Sequence, residues 1–194
     1  NTGAVVGSAV LKRQRNLNRG FKFYQDQNFE LLIRIGKETS ERKERPHEIH
    51  RRAKHVVKWA KRWLKEINVH KPFFLFLHFW DAHWPHYLPD TYQRPFQVDP
   101  AFEEFLDKNH YLISDMKSEA NEYDNALSYI DENLKNFFEY LGKKGLLSRT
   151  IIIITSDHGE GLGQHNWYGH GLYLYQEQAR IPLLIRFPNL YKAG

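Results

Sequence analysis

Isoleucines 151–154 run directly into TSDHGEGLGQHNWYGHG (155–171), where three histidines and five glycines share 17 positions. An unbroken apolar run of this kind suits a strand buried on both faces, as in a parallel sheet covered by helices. The polar cluster then leaves the C-terminal end of that strand, which is where ligands bind in open α/β sheets. Few other features of the chain restrict its fold as tightly as this junction.

The pattern occurs a second time. In KPFFLFLHFWDAHWPHYLP, the run 73–77 behind Pro72 reads as another buried parallel strand, and His78, Asp81, His83 and His86 follow at its C-terminal end. Pro85 marks a turn beside His83. Two strand ends, each followed by His and Asp, point to one site built from separate loops.

The intervening segments supply helices. Over 45–67, Ala53, Val56, Val57, Ala60, Trp63, Leu64 and Ile67 keep amphipathic spacing. Leu127, Ile130, Leu134, Phe137, Phe138 and Leu141 form a second such face, stopped by Gly142 and Gly145. A strand at 151–155, a short helix at 174–179 and a strand at 183–187 between Pro182 and Pro188 follow. Near the start, 4–6 is a short strand-like run, and Asn18, Arg19 and Gly20 form a basic turn. The order predicts an α/β fold, a mostly parallel sheet sandwiched between helices, in a single domain over 1–194. Nothing resembling an N-terminal element precedes the first strand, so the domain is expected to be incomplete there.

Composition narrows the function class. With 41% hydrophobic and 15% aromatic residues, global disorder is excluded. A net charge of +5 and a pI near 9.3 favour an anionic partner, leaving nucleic acid, phosphate esters and sulfate esters open. Lys54, Lys58, Lys61, Arg62 and Lys65 fall mostly opposite the apolar face of the first helix and read as a solvated surface. No nucleic-acid module accompanies them, so no nucleic-acid partner is expected. There are no cysteines, hence no disulfide or thiolate metal site within these residues. No apolar stretch approaches the ~20 residues that span a bilayer, and any targeting segment is expected to lie outside the sequence.

At the first junction, Asp157 offers a hard oxygen and His158 a borderline nitrogen, so adjacent side chains at a turning strand end can face one divalent cation. Asp-His-Gly alone fits a turn with a solvated histidine more often than a metal site. His170, between Gly169 and Gly171, could bind an anion or protonate a leaving oxygen, or could be an exposed loop histidine. The same pair of readings applies to His83.

TIIIITSDHGEGLGQHNWYGHGLYLYQEQARIPLLIRFP resembles the C-terminal metal-binding segment of the sulfatases, within the alkaline phosphatase superfamily. PFFLFLHFWDAHWPHYLP resembles the central strand and Asp-x-His-x-Pro loop of that family, and YDNALSYIDENLKNFFEYLGKKGLLSRT the helix joining the two. AVVGSAVLKRQRNLNRGFKFYQD is similar to the stretch after the nucleophile helix. Together they cover nearly the whole chain, in family order.

This resemblance implies an alkaline-phosphatase-like fold and a sulfuric ester hydrolase. Asp157 and His158 match the second pair of metal ligands, with calcium as the usual metal and zinc, manganese or magnesium as alternatives. His158 stands where many sulfatases have Asn and phosphatase relatives have His. His83 matches the histidine that contacts sulfuryl oxygens, and His170 a Lys or His near the leaving-group oxygen. Tyr175, Arg180 and Pro182 match scaffold positions. Gln164 replaces a frequent Glu, a change expected to alter only a neighbouring hydrogen bond.

The first Asp pair and the Cys-or-Ser-x-Pro-x-Arg motif that yields formylglycine are not among these residues and are expected upstream. Ser8 lies in the wrong segment to be the nucleophile. In the implied mechanism a formylglycine hydrate held on a divalent cation attacks sulfur, the metal and His83 neutralise charge on the sulfuryl oxygens, and His170 assists the departing alcohol. The partner is then an anionic sulfate ester, and export or a lysosomal address would follow the family. Two rivals are a phosphate or phosphonate ester hydrolase or phosphotransferase of the same superfamily, using Thr or Ser, and a non-catalytic fragment. The isolated 194 residues are expected to expose an edge and an apolar face, to bind metal weakly and to lack turnover.

Overall fold

The computed structural model describes residues 1–27, 50–84, 86, 88–97, 99–101, 104, 108 and 114–188, omitting the side chains of 114–119 and 166. The expected turn at Pro85 and the start of the first helix at 45–49 lie outside the described residues. The chain forms two compact units, 1–92 with 126–137, and 93–125 with 138–194.

In the first unit, β1 (Thr2–Val5) is the central strand of a parallel three-stranded sheet, between β2 (Phe23–Gln25) and β3 (Phe74–Leu77). Helix α1 (Ala53–Glu66) buries Ala53, Val56, Val57, Ala60, Trp63 and Leu64, the face that periodicity marks. Fully burying one such aliphatic side chain is worth about 1.5–3 kcal/mol. Gly3 is where α1 meets the sheet: a Cβ there would lie 2.6 Å from the Trp63 ring. Leu75, the register partner of Gly3, shares that face, whereas Phe74 and Phe76 alternate to the other.

Strand β3 was expected to be buried on both faces, but Phe74 is 57% and Phe76 41% exposed. Within the unit β3 pairs with β1 and ends the sheet order, and α1 covers the face opposite the two phenylalanines.

Helix α1 begins at Ala53 because its first N–H is capped from a distant loop. Arg52 is extended and provides no side-chain cap. The Ala53 N–H instead donates to Asp81 Oδ1 at 3.0 Å. Just ahead, Arg51 is 1% exposed and donates from Nη1 to the carbonyls of Val6 and Gln25, each at 2.9 Å, and from Nη2 to Gln27 O, tying together the ends of β1 and β2. Burial lowers the Arg51 guanidinium to about 10, with Asp26 opposing that shift, so it stays charged at neutral pH. Ser8 Oγ accepts from Val10 N–H and caps a single 3-10 turn.

The middle of α2 (Ser114–Lys143) belongs to this unit, where Ala126 and Tyr129 pack with Ala53 and Leu88. Its ends belong to the second unit. There Asn125, fully buried, accepts from Phe96 N–H and donates to Phe96 O, both at 3.0 Å. The C-terminus closes with Gly145 at φ +65 and a bond from Leu146 N–H to Leu141 O, the stop expected from the glycines.

In the second unit β4 (Ile152–Thr155) pairs with β7 (Leu183–Arg186), and the ladder is antiparallel. The isoleucine run was also expected to be buried on both faces. Ile153 is 61% exposed, and Leu183 and Leu184 are 66% and 57% exposed. Two strands form too small a sheet to bury both faces, however apolar their sequence. The hairpin β5 (Gly161–Leu162) and β6 (Tyr168–Gly169) and the one-turn helix α3 (Gln176–Ala179) lie between β4 and β7. So short a helix does not form the crossover that a parallel pair requires.

Candidate active site

The C-terminal end of β4 delivers Asp157 and His158 in consecutive positions. Asp157 is largely exposed, and its Oδ1 accepts the His158 N–H at 3.1 Å. The His158 Nδ1 lies 2.7 Å from Gly159 O; since a carbonyl only accepts, Nδ1 carries the proton. Nε2 is then the lone-pair nitrogen in the neutral ring, and it lies 3.9 Å from Asp157 Oδ1. That span suits one divalent cation with each ligand at about 2.0–2.4 Å. One carboxylate oxygen and one imidazole nitrogen of fixed tautomer therefore suit two positions around a cation. Among the described residues there is no group of three or more His, Cys, Asp or Glu able to hold a metal ion.

Backbone close approach holds the next residues. Gly159 donates to Gln178 O at 2.7 Å, and a Cβ on it would lie 2.1 Å from Glu177 O, so no other residue fits against α3 without displacing it. Glu160 follows with only 4% of its side chain exposed. Its oxygens lie 3.1 and 3.0 Å from Nδ1 of His170, which donates to them. The His170 ring stacks on His158 with centroids 4.0 Å apart. Three of the expected site residues, Asp157, His158 and His170, are thus brought together within one unit.

The rest of the loop is held by its own hydrogen bonds and ring contacts. Gln164 Oε1 accepts from Leu162 N–H at 2.8 Å, a bond that a glutamate could also make. His165, at φ +57, stacks on Tyr175 at 4.2 Å and donates to Glu177 Oε1 at 2.9 Å. Tyr175 O accepts from Gln178 and Ala179 N–H, and Arg180 N–H closes α3 on Gln176 O.

His83 belongs to the first unit, on the loop after β3. Its ring stacks on Trp80 at 3.9 Å, and its Nδ1 donates to Trp84 O, which makes Nε2 the nitrogen facing away from that bond. His50 also stacks on Trp80, at 5.0 Å. The neighbouring Asp81 is buried and caps α1; burial pushes its carboxyl up to about 6, although the Ala53 N–H opposes that shift. Sequence reasoning placed Asp81 in the polar cluster but did not find this capping role, and it passed over Glu160. Glu160 emerges only once the β5–β6 register sets it opposite His170.

Residues 9–193 match the family model described as Sulfatase. The chain is 30% identical over 156 residues to an arylsulfatase of Clostridium perfringens, covering 71% of this chain and 32% of that protein. It is 46% identical over 65 residues to an N-acetylglucosamine-6-O-sulfatase of Bacteroides thetaiotaomicron, covering 34% of this chain and 12% of that protein. A solved structure of the putative sulfatase yidJ from Bacteroides fragilis superposes with TM-score 0.62 at 23% identity, over 74% of this chain and 32% of that one. The match therefore spans no more than about a third of each relative's length. Ordered as it is, from the strands of the parallel sheet to the Asp157–His158 turn and the His170 loop, the chain belongs to the sulfatase family.

Proposed function

We propose that the polypeptide containing these residues hydrolyses sulfate esters, with Asp157 and His158 as part of a divalent-cation site and His170 as the proton donor to the leaving alcohol oxygen. One observation carries this reading: a metal-compatible oxygen–nitrogen pair stands at a strand end, with a second imidazole stacked 4.0 Å from its histidine. A cation bound there would supply positive charge for the sulfuryl oxygens. Calcium is the expected ion, and a formylglycine upstream of these residues the expected nucleophile.

The chain's own residues do the rest. Asp157 and the Nδ1-protonated His158 supply ligand atoms on one side of the turn. His170 keeps one proton on Nδ1 toward Glu160, and in the proposed role the proton given to the departing oxygen is the one on Nε2. For His83, whose Nδ1 donates to Trp84 O, the proposed role is the contact with an anionic ester oxygen that the family resemblance implies. The net charge of +5 is compatible with an anionic substrate. No helix among the described residues is long and apolar enough to cross a membrane.

The test is a paired assay on the full-length polypeptide, using an aryl sulfate and an aryl phosphate, each with calcium and with zinc or manganese, beside Asp157→Ala. Sulfate release that the substitution abolishes supports the proposal. Preferential phosphate release moves the protein to the phosphate-ester branch, and silence on both substrates favours a non-catalytic relative.

A further inference from the structure

We infer that Glu160 is a positioning residue for His170: by accepting the Nδ1–H it holds the imidazole in one orientation and keeps that proton in place, so that the proton passed to the leaving oxygen is the one carried by Nε2. This rests on the reading of His170 as the proton donor.

Hairpin register brings Glu160 and His170 together. Strands β5 and β6 pair antiparallel with Gly161 opposite Gly169 and Leu162 opposite Tyr168. Residues 160 and 170 are the next opposed pair outward, and opposed side chains of an antiparallel ladder lie on the same face. The glycine pair keeps the strands close: a Cβ on Gly161 would lie 2.9 Å from Gly169 O, and Gly169 adopts φ +94. The Glu160 carboxylate consequently meets Nδ1 of His170 through both oxygens.

Burial makes the contact consequential. A carboxylate with 4% of its side chain exposed is costly unless hydrogen-bonded, and His170 supplies that bond. Because a carboxylate accepts, it selects the ring orientation that points an N–H toward it, as the buried acid does for the histidine of a catalytic triad. The histidine is also bounded by His158 on its ring face. On α2, burial pushes the Tyr123 phenol up, and the charges of Glu160 and Asp124 add to that shift.

The test uses the full-length polypeptide carrying Glu160→Ala and Glu160→Gln, with two readouts. The first, independent of activity, is the 15N NMR spectrum of histidine-labelled protein. His170 is expected to show a protonated Nδ1 in the unsubstituted protein and a tautomer mixture in Glu160→Ala. The second is kcat and KM on an alkyl sulfate and on 4-nitrophenyl sulfate. Glu160→Ala is expected to lower kcat on the alkyl sulfate about 10–100-fold, the usual effect of losing an outer-shell partner, with KM little changed. The nitrophenyl ester, whose leaving group needs no proton, should lose far less. Glu160→Gln, whose amide oxygen still accepts from Nδ1, should restore most of the activity. Glu160→Met fills the volume without an acceptor and replaces Glu160→Ala should that variant not fold.

An unaltered His170 spectrum in Glu160→Ala overturns the inference whatever the activity. Equal losses on both esters, with Gln no better than Ala, overturn it as well, because a merely structural role predicts that result. If the His170 spectrum responds but the unsubstituted protein releases no sulfate, the positioning role stands and the sulfate-ester reading fails.

Discussion

Asp81→Asn isolates the cost of a buried carboxylate. The Asp81 side chain caps α1 through Oδ1, its Oδ2 has no hydrogen-bond partner among the described residues, and burial raises its pKa from 3.8 to about 6. Asparagine keeps an oxygen for the Ala53 N–H and removes the charge. A group whose folded pKa is raised contributes stability that is fully present below its unfolded pKa. That contribution is lost as pH rises through the folded value, here between 3.8 and about 6. At 1.36 kcal/mol per unit, the full swing is about 3 kcal/mol, and about 2 kcal/mol of it lies between pH 4.5 and pH 8. Relative to the unsubstituted protein, Asp81→Asn should therefore gain about 2 kcal/mol at pH 8 over its standing at pH 4.5. Denaturant unfolding followed by tryptophan fluorescence at the two pH values measures this difference. A stability difference between the two proteins that does not vary with pH would refute the account of Asp81 as a buried, protonatable cap.

Gly159→Ala drives a methyl against Glu177 O at 2.1 Å and should destabilise by about 1–3 kcal/mol, with loss of turnover, read by thermal unfolding beside the aryl sulfate assay. Arg51→Met removes charged donors from the carbonyls of Val6 and Gln25 and should cost about 2–4 kcal/mol in denaturant unfolding. His158→Ala should weaken calcium binding by isothermal titration calorimetry while leaving the ladder of β4 and β7 intact by hydrogen exchange. The 194 residues expressed alone should not turn over an aryl sulfate, and turnover by that polypeptide would refute the need for an upstream nucleophile.

Much of the architecture was legible along the chain because it is local. Helix α1 shows its buried face in the spacing of Val56, Ala60, Trp63 and Leu64, and each apolar run became a strand within a residue or two of where its composition placed it. The cluster 155–171 marked a candidate site by gathering Asp157, His158 and His170 after a strand end, although Asp-His-Gly alone fits a solvated turn as well. Burial and pairing were decided elsewhere. Neither FFLFL nor IIII states how many neighbours its strand will have, so the exposure of Phe74 and Ile153 belongs to sheet order. The start of α1 depends on Asp81, 28 residues downstream, and the support of His170 on a hairpin register that sets Glu160 opposite it. Sequence determined the periodic faces, the strand-forming runs and the chemical types at the strand ends, since those depend on neighbours a few positions away. Tertiary structure alone decided which carboxylate faces which imidazole and which apolar face is covered, since those depend on contacts that local pattern does not encode.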